Sequence, residues 1–484
     1  MKIKRIKMTE TQLLELVRKV LTEKTESQTL ELKAAASGCP TKLYDSISAF
    51  ANQDDGGILL FGIDEDSDWK ICGVYDAQDL QKKVNEQCKQ MFPVVRPVFC
   101  SALVDGKTIV SAEIPAVDLS ERPCYYSGKG KIKGSFVRVG DSDEPMTDYE
   151  IYSYEAFRKK YEDDVRENEK ATLETIDLKK MNEYLGLVKE NTPNLAKLPE
   201  ETVLKLTGLV KNDHPTLLCT LLFSFFPQLF YPQYTINATV IPGTQRGDAT
   251  KEGLRFLDNQ RIEGTLVEML EKALKFAVRN MKNRTIIDPQ TGKRVDRLEY
   301  PLTAVREAIL NALIHRDYSV HTEAMPIEMT FFQDRLEIRN PGGLYGRLTL
   351  SRLGKVQPDT RNPKLARALE TLKITENRYS GIPTIQREMR EAGLDEATFE
   401  DSRNEFCVTF FNSETSAQSR AETSPKKELL KFCQIPRSRQ EIADFLGIQT
   451  ISYVKKILEP LLTKGALKMT LPEKPKSKNQ RFYS

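Results

Sequence analysis

The stretch Asn412 to Pro425 (NSETSAQSRAETSP) limits the fold more than any other part of this chain. It is rich in Ser, Thr and Glu and lacks apolar periodicity, so it offers no face to a hydrophobic core. The residues beyond it must fold apart from those before it, and a 484-residue chain already exceeds one ordinary core. Charge divides at the same place. From Pro425 to Ser484 thirteen Lys and Arg stand against five Asp and Glu, a net +8 within a chain of +3, which leaves −5 for the remainder. A basic module on a mildly acidic body points to contact with a polyanion at one end.

No apolar run approaches the roughly twenty residues of a membrane span. The longest, Thr216 to Tyr231, is interrupted by Ser224 and Pro227 and reads as a buried strand. The N-terminus is basic (Lys2, Lys4, Arg5, Lys7), but Thr9 to Val20 reads as an amphipathic helix rather than the apolar centre of a signal peptide. Eight cysteines without a C-x-x-C pair, and three histidines, argue against structural zinc and for a reducing cytoplasm. The expected location is cytoplasmic, with no membrane partner.

After the linker, KKELLKFCQ, RQEIADFLG and ISYVKKILEPLLTKGAL read as three helices. Ile442, Phe445 and Leu446 fall at i, i+3 and i+4, one stripe facing a core. Ser438 with Glu441 makes a capping box, and Gly447 stops the helix. The third helix turns Tyr453, Ile457 and Leu461 inward and leaves Thr450, Ser452, Lys455 and Lys456 outward, side chains suited to phosphates and base edges. The basic tail KMTLPEKPKSKNQRFYS, with Lys476, Lys478 and Arg481, resembles the wing of winged-helix proteins, so duplex DNA is the expected partner of this module. A three-helix packing unit with a solvated basic face is the plainer reading of the same residues.

Near the N-terminus T-E-S-Q-T-L-E-L-K (Thr25 to Lys33), S-A-F-A-N (Ser48 to Asn52) and G-G-I-L-L-F-G-I-D-E-D (Gly56 to Asp66) follow in close order, and V-R-V-G closes the series at Gly140. This order resembles the Schlafen AlbA-type domain, whose members are linked to nucleic-acid binding and, in eukaryotic Schlafens, to RNA cleavage by an acidic triad. The resemblance puts that triad on Glu26, Glu31 and Asp64. Alternation along the strand turns Leu30 and Leu32 one way and Glu31 and Lys33 the other. Three carboxylates brought together need a cation or a basic partner between them, and cleavage would call for Mg²⁺ or Mn²⁺. The plainer reading is a Glu31–Lys33 surface ion pair.

The sharpest chemical signal is P-L-T-A-V-R-E-A-I-L-N-A-L-I-H-R-D-Y (Pro301 to Tyr318). Val305, Ile309, Ala312 and Leu313 make a buried stripe, while Glu307 and Asn311, four apart, share another face. A carboxylate that orients water beside an amide that ligates Mg²⁺ is what ATP hydrolysis requires. E-x-x-x-N-A on a helix resembles the N-box of the GHKL (Bergerat-fold) ATPases. D-R-L-E-I-R-N-P-G-G-L (Asp334 to Leu344), T-R-N-P-K-L-A (Thr360 to Ala366) and G-I-P-T-I (Gly381 to Ile385) continue the pattern. Together they resemble the ATP-binding half of prokaryotic Schlafen/AlbA regulators, often labelled RecG-related. The resemblance implies ATP with Mg²⁺ at Asn311, Asn340, Gly342, Gly343, Arg361, Asn362 and Gly381, and Glu307 as the catalytic group. Asn340 stands where relatives carry an acidic residue, and Arg378 to Gly381 (R-Y-S-G) has lost one glycine of the usual turn. His315 reads equally as a phosphate neighbour or a structural histidine. No G-x-x-x-x-G-K-[ST] run occurs, so a P-loop motor is not expected.

The expected class is α/β (α+β) and multidomain: an N-terminal helix (1–24), a Schlafen AlbA-like domain (25–147), a helical connector with an α/β subdomain (148–300), a GHKL-like α/β sandwich (301–411), the linker (412–425) and a winged helix-turn-helix (426–484). The function expected is that of an ATP-binding, DNA-binding regulator, of transcription, with nucleotide-controlled conformation or assembly as a homo-oligomer. The alternative is a metal-dependent Schlafen-like RNA or DNA endonuclease gated by nucleotide, in phage defence.

Overall fold

The computed structural model describes residues 8–287, 294–375, 380–402 and 404–412, and in the C-terminal part 429, 432, 433, 437–445, 458, 462, 467–470 and 480–483. Its N-terminal part runs through helix α1 (Glu10–Glu23), strand β1 (Leu30–Lys33), helix α2 (Tyr44–Asn52), strand β2 (Gly57–Phe61), helix α3 (Ala77–Lys89) and a hairpin of β3 (Val98–Val104) with β4 (Lys107–Ile114). The strands pair in the order β1-β2-β4-β3, with β1 parallel to β2 and the other pairs antiparallel. Period-two alternation sorts the side chains into two layers. Leu30, Leu32 and Leu60 meet Leu13, Val17 and Val20 of α1, whereas Leu59 and Phe61 meet Ile47, Phe50, Leu80 and Val84 of α2 and α3. Glu31 and Lys33 therefore face away from α1. A capping box between Thr9 and Gln12 starts α1, and the Asp76 carboxylate accepts two backbone N–H bonds to start α3.

A second hairpin, β5 (Phe136–Val139) with β6 (Ser142–Pro145), leads into helix α4 (Asp148–Lys159), which Thr147 and Glu150 cap reciprocally. The apolar stretch expected as a strand over Thr216–Tyr231 is instead helix α5 (Leu217–Phe223), followed by a turn of helix at Pro227–Phe230. All seven residues of α5 are buried, so no polar face marks the helical period, and a buried helix then looks like a buried strand. The Thr216 hydroxyl accepts from the Cys219 N–H and fixes the helical start.

The central sheet is built from β7 (Ile236–Val240), β8 (Asp258–Ile262), β9 (Ile327–Phe331), β10 (Arg335–Pro341), β11 (Thr398–Asp401) and β12 (Glu405–Phe411), in the order β8-β7-β9-β10-β12-β11. Only β7 and β9 run parallel. The sheet thus draws strands from both sides of the boundary expected at residue 300. Helices α6 (Leu266–Asn280), α7 (Leu302–His315), α8 (Pro363–Thr371) and α9 (Gly381–Glu391) accompany it. Eight residues of α7 are buried, among them Val305, Ile309, Ala312 and Leu313. Each large aliphatic side chain buried there contributes about 1.5–3 kcal/mol. The inner face holds the helix in place, which leaves the outer face available for other chemistry.

In the C-terminal part, β13 (Arg437–Ser438), helix α10 (Arg439–Phe445), β14 (Lys468–Met469) and β15 (Arg481–Tyr483) are described, with β15 central in a three-stranded antiparallel sheet. Leu429, Cys433, Ile442, Leu458, Leu467 and Phe482 share a small core. The Glu441 carboxylate accepts from the Ser438 N–H at 2.8 Å and the Ser438 hydroxyl accepts from the Glu441 N–H at 3.3 Å, the capping box expected from the sequence. Phe445, expected inward, is 41% exposed and stacks on Phe432 at 4.2 Å. A surface aromatic pair offers that ring a partner without a core position. Thr450, Ser452, Lys455, Lys456, Lys476 and Lys478 lie outside the described residues, as do Leu446, Tyr453, Ile457 and Leu461. Arg481 is half-exposed, with its guanidinium 3.8 Å from Glu441. The eight cysteines are all free, and no described helix is long and apolar enough to cross a membrane.

Candidate functional site

Helix α7 presents Glu307 and Asn311 one turn apart on its outer, partly buried face. Arg306 steadies the carboxylate, donating from Nη1 to Glu307 Oε1 at 3.1 Å and from Nη2 to the Ile374 carbonyl at 2.6 Å. The first residue of α9, Gly381, abuts this pair. A Cβ there would lie 2.9 Å from Asn311 Nδ2 and 3.4 Å from Glu307 Oε2. Glycine therefore lets the N-terminus of an eleven-residue helix, with the N–H groups of Gly381 and Ile382 and its positive dipole end, come against the amide and the carboxylate.

Across the space from α9, β10 ends at Asn340 and Pro341 and the chain turns through Gly342 and Gly343. Gly342 has φ +94°, and a Cβ on it would stand 2.6 Å from the Cβ of Asp317. The turn is pinned by Gly342 N–H to Asn404 O at 2.7 Å and Asp317 N–H to Pro341 O at 2.9 Å. Arg361 forms a buried ion pair with Asp317 and donates to the Gly343 carbonyl at 3.2 Å. Burial alone would raise the Asp317 pKa, but the Arg361 charge, the Ser319 N–H and the Tyr149 hydroxyl outweigh it and hold the group below the ordinary range.

Between α7, α9 and this turn lies a cavity of about 750 Å³. Its lining includes Glu307, Asn311, Asn340, Gly342, Gly343, Arg361 and Gly381, all expected at a nucleotide from the sequence, with apolar walls at Ile338, Phe406 and Val408. Two buried oxygens in this lining, Asn340 Oδ1 and Thr360 Oγ1, have no hydrogen-bond partner. An unsatisfied buried polar atom costs about 1–3 kcal/mol, so these two fit a ligand that satisfies them. His315 lines the same cavity, its pKa pushed down to about 4 by burial and then by the Arg361 charge, which makes it a neutral ring near pH 7. Asn362 is placed otherwise than expected. It is fully buried, does not line the cavity, and donates from Nδ2 to the carbonyls of Ile314 and Arg316, both at 2.8 Å, tying α8 to the end of α7. Thr360 also lines the cavity; it opens the T-R-N-P-K-L-A block, but nothing in the sequence singles it out within that block.

Two of the three N-terminal carboxylates expected at a cation meet an arginine instead. Arg138 on β5, 5% exposed, ion-pairs with Glu31 at 2.6 Å, Asp143 at 2.9 Å and Glu26 at 3.4 Å. Glu31 also pairs with Lys33, and Glu26 accepts the Leu32 N–H at 2.6 Å. Asp64 stands apart with the Ser67 hydroxyl at 2.6 Å. The expected convergence of Glu26, Glu31 and Asp64 on one cation is thus replaced by a guanidinium that contacts two of them. Among the described residues no group of three or more His, Cys, Asp or Glu is placed to hold a metal. Burial, with Glu31 and Glu65 nearby, raises the Glu26 pKa to about 7 against the opposing Leu32 N–H and Arg138.

Residues 26–147 match the Schlafen, AlbA_2 family model, and residues 324–410 match the one described as "Putative ATP-dependent DNA helicase recG C-terminal". The chain carries a Schlafen AlbA_2 domain and an ATPase-like domain of this second type. The second match begins after α7, so it covers Asn340 to Gly381 but not Glu307 and Asn311. No curated protein matches the chain. Among solved structures, a Corynebacterium diphtheriae protein is similar at 21% identity over 93% of this chain and 92% of its own, with a TM-score of 0.38. The N-terminal domain of a RecG-related protein from Nitrosomonas europaea is 27% identical over 29% of this chain and 94% of its own, with a TM-score of 0.23.

The raised Glu26 pKa has a measurable consequence. A carboxyl whose folded pKa lies above its unfolded value contributes stability that is full below about pH 4.5 and is lost as pH rises through about 7. Glu26→Gln, which keeps the neutral shape, should leave the melting temperature nearly unchanged at pH 5 and raise it at pH 8. Thermal melts across that range check this, and parallel wild-type and variant curves would contradict it.

Proposed function

We propose that this chain is a nucleotide-dependent regulator that binds Mg·ATP in the central cavity and duplex DNA through its basic C-terminal module. The observation that carries the reading is the juxtaposition of Glu307 and Asn311 with the N-terminus of α9 at Gly381, while unsatisfied oxygens of Asn340 and Thr360 stand in the same cavity. A helix N-terminus beside an amide suits a metal-bound polyphosphate, and an apolar slot with a few polar atoms suits a base. In this reading the Asn311 oxygen would hold Mg²⁺, which neutralises phosphate charge when bound. Glu307 would orient water, kept in place by Arg306. The turn at Gly342 and Gly343 would let backbone approach the nucleotide closely.

Helix α4 supplies a route from this cavity to the N-terminal domain. Tyr149 donates to Asp317 at 2.8 Å, and Phe157 packs edge-on against Tyr345, a lining residue, at 5.7 Å. From the same helix Glu155 ion-pairs with Lys131, and Tyr154 reaches the Asn52 carbonyl at 3.5 Å. Occupancy that moves the Gly342–Tyr345 turn is therefore felt by contacts to both domains. Control of transcription by this linkage, with assembly into a homo-oligomer, is the biological role proposed. The net +8 of residues 425–484, the Ser438–Glu441 capping box and the antiparallel strands around Arg481 support a winged helix as the DNA-binding end.

Two experiments test these assignments. Asn311→Ala should weaken Mg·ATP binding about ten- to a hundredfold, the worth of one charge-assisted contact, whereas Glu307→Ala should still bind but turn over more slowly. Calorimetry on wild type and both variants decides this, and a wild type that binds no adenine nucleotide would refute it. Replacing Lys455 and Lys456 with Ala should weaken duplex binding across sequences and flatten its salt dependence, by about 0.9 in log–log slope per lost phosphate contact. A chain truncated at Asn412 that binds duplex as well as the full protein would overturn the C-terminal assignment.

A further inference from the structure

Asn340 is an amide on an otherwise apolar patch of sheet. It lies on β10 opposite Phe406 of β12, and Ile338 lies opposite Val408. All four side chains line the cavity, as residues two apart on paired strands must if one does. The backbone of Asn340 is locked by pairing, so its side chain is committed to this wall. Asn340 is 5% exposed, and its Oδ1 meets no donor. Thr360 adds a second buried oxygen without a partner. A β-branched apolar residue would suit either wall better if nothing polar ever arrived.

The chemistry of these two groups sets what they can read. A carboxylate offers acceptors alone, so at this position it would select an exocyclic amine and repel a carbonyl. A carboxamide has an acceptor at one end and a donor at the other, and turning it about χ2 exchanges them with almost no change of shape. No hydrogen bond pins the Asn340 amide in either sense. The Thr360 hydroxyl also rotates between donor and acceptor. Neither group is committed to an amine or to a carbonyl on the ring it meets.

We infer that the cavity takes 6-oxo purine nucleotides as well as 6-amino ones, with Asn340 as the residue that sets this breadth; the inference rests on the nucleotide reading of this cavity. When the ligand carries a 6-amino group the amide accepts from it, and when it carries a 6-carbonyl the amide donates to it. A site committed to one polarity rejects the other by up to about 10⁴–10⁵, because a buried group is left unpaired. An uncommitted amide forfeits that discrimination.

The test is calorimetry of the full-length protein with Mg·ATP and Mg·ITP, which differ at the 6-position and its adjacent ring nitrogen and keep the same polyphosphate. Wild type should bind both with Kd values within about tenfold. Asn340→Asp should keep ATP and weaken ITP at least about thirtyfold relative to it, since only the amide can donate. If Asn340→Asp fails to fold, the wild-type ratio alone decides. A wild type that binds ATP but prefers it over ITP by more than about a hundredfold would overturn this inference and leave the nucleotide site standing. An Asn340→Asp protein that is folded and binds ITP as well as wild type would also overturn it. A wild type that binds neither would sink the nucleotide reading itself, and this inference with it.

Discussion

The buried pair of Arg361 and Asp317 is the contact to which the rest of the central site is referred. Asp317 is fully buried and Arg361 is 4% exposed, so removing either partner would strand a charge at a cost of about 3–5 kcal/mol. From this pair the Gly343 carbonyl, the Ser319 N–H and the Tyr149 hydroxyl all take their positions. Arg361 also lies over the Tyr345 ring at 4.8 Å. One ion pair therefore fixes the glycine turn, the residues just past α7 and the inner end of α4. Gly342 is required because a Cβ would occupy the space of Asp317 itself.

The two halves of the protein use buried arginine differently. Arg138 sits among Glu26, Glu31 and Asp143, so its charge is answered on the spot and the cluster ties β1 to the β5–β6 hairpin. Around the central cavity the balance is incomplete. Arg361 is matched by Asp317, yet the buried Asn340 Oδ1 and Thr360 Oγ1 have no hydrogen-bond partner. Opposite charges packed between strands hold a domain together, whereas unpartnered oxygens in the wall of a cavity are placed where a ligand could meet them.

This contrast explains which residues the sequence makes legible. Glu307 and Asn311 are legible because both lie on one helix, where a spacing of four dictates a shared face whatever the fold around it. The alternation at Leu30 to Lys33 is legible for the same reason. Arg138, Asp317 and Tyr149 are not, because their partners are far away in sequence and only the packed fold brings them together. Asn362 lies in a motif that suggests a ligand, but its amide is used on two carbonyls at the end of α7. The apolar run at Thr216 to Tyr231 misleads because full burial erases the period that separates helix from strand.

In the proposed mode of binding, nucleotide enters between the Gly342–Arg347 turn and the first turn of α9. Hydrogen exchange of the full-length protein, with and without saturating Mg·ATP, tests it most directly, since a bound ligand protects the backbone it touches and stabilises what it bridges. Slowed exchange at residues 341–347 and 380–387, with the strands at 57–61 and 107–114 unchanged, is the predicted result. Exchange at 341–347 and 380–387 that stays the same on nucleotide addition would contradict the account.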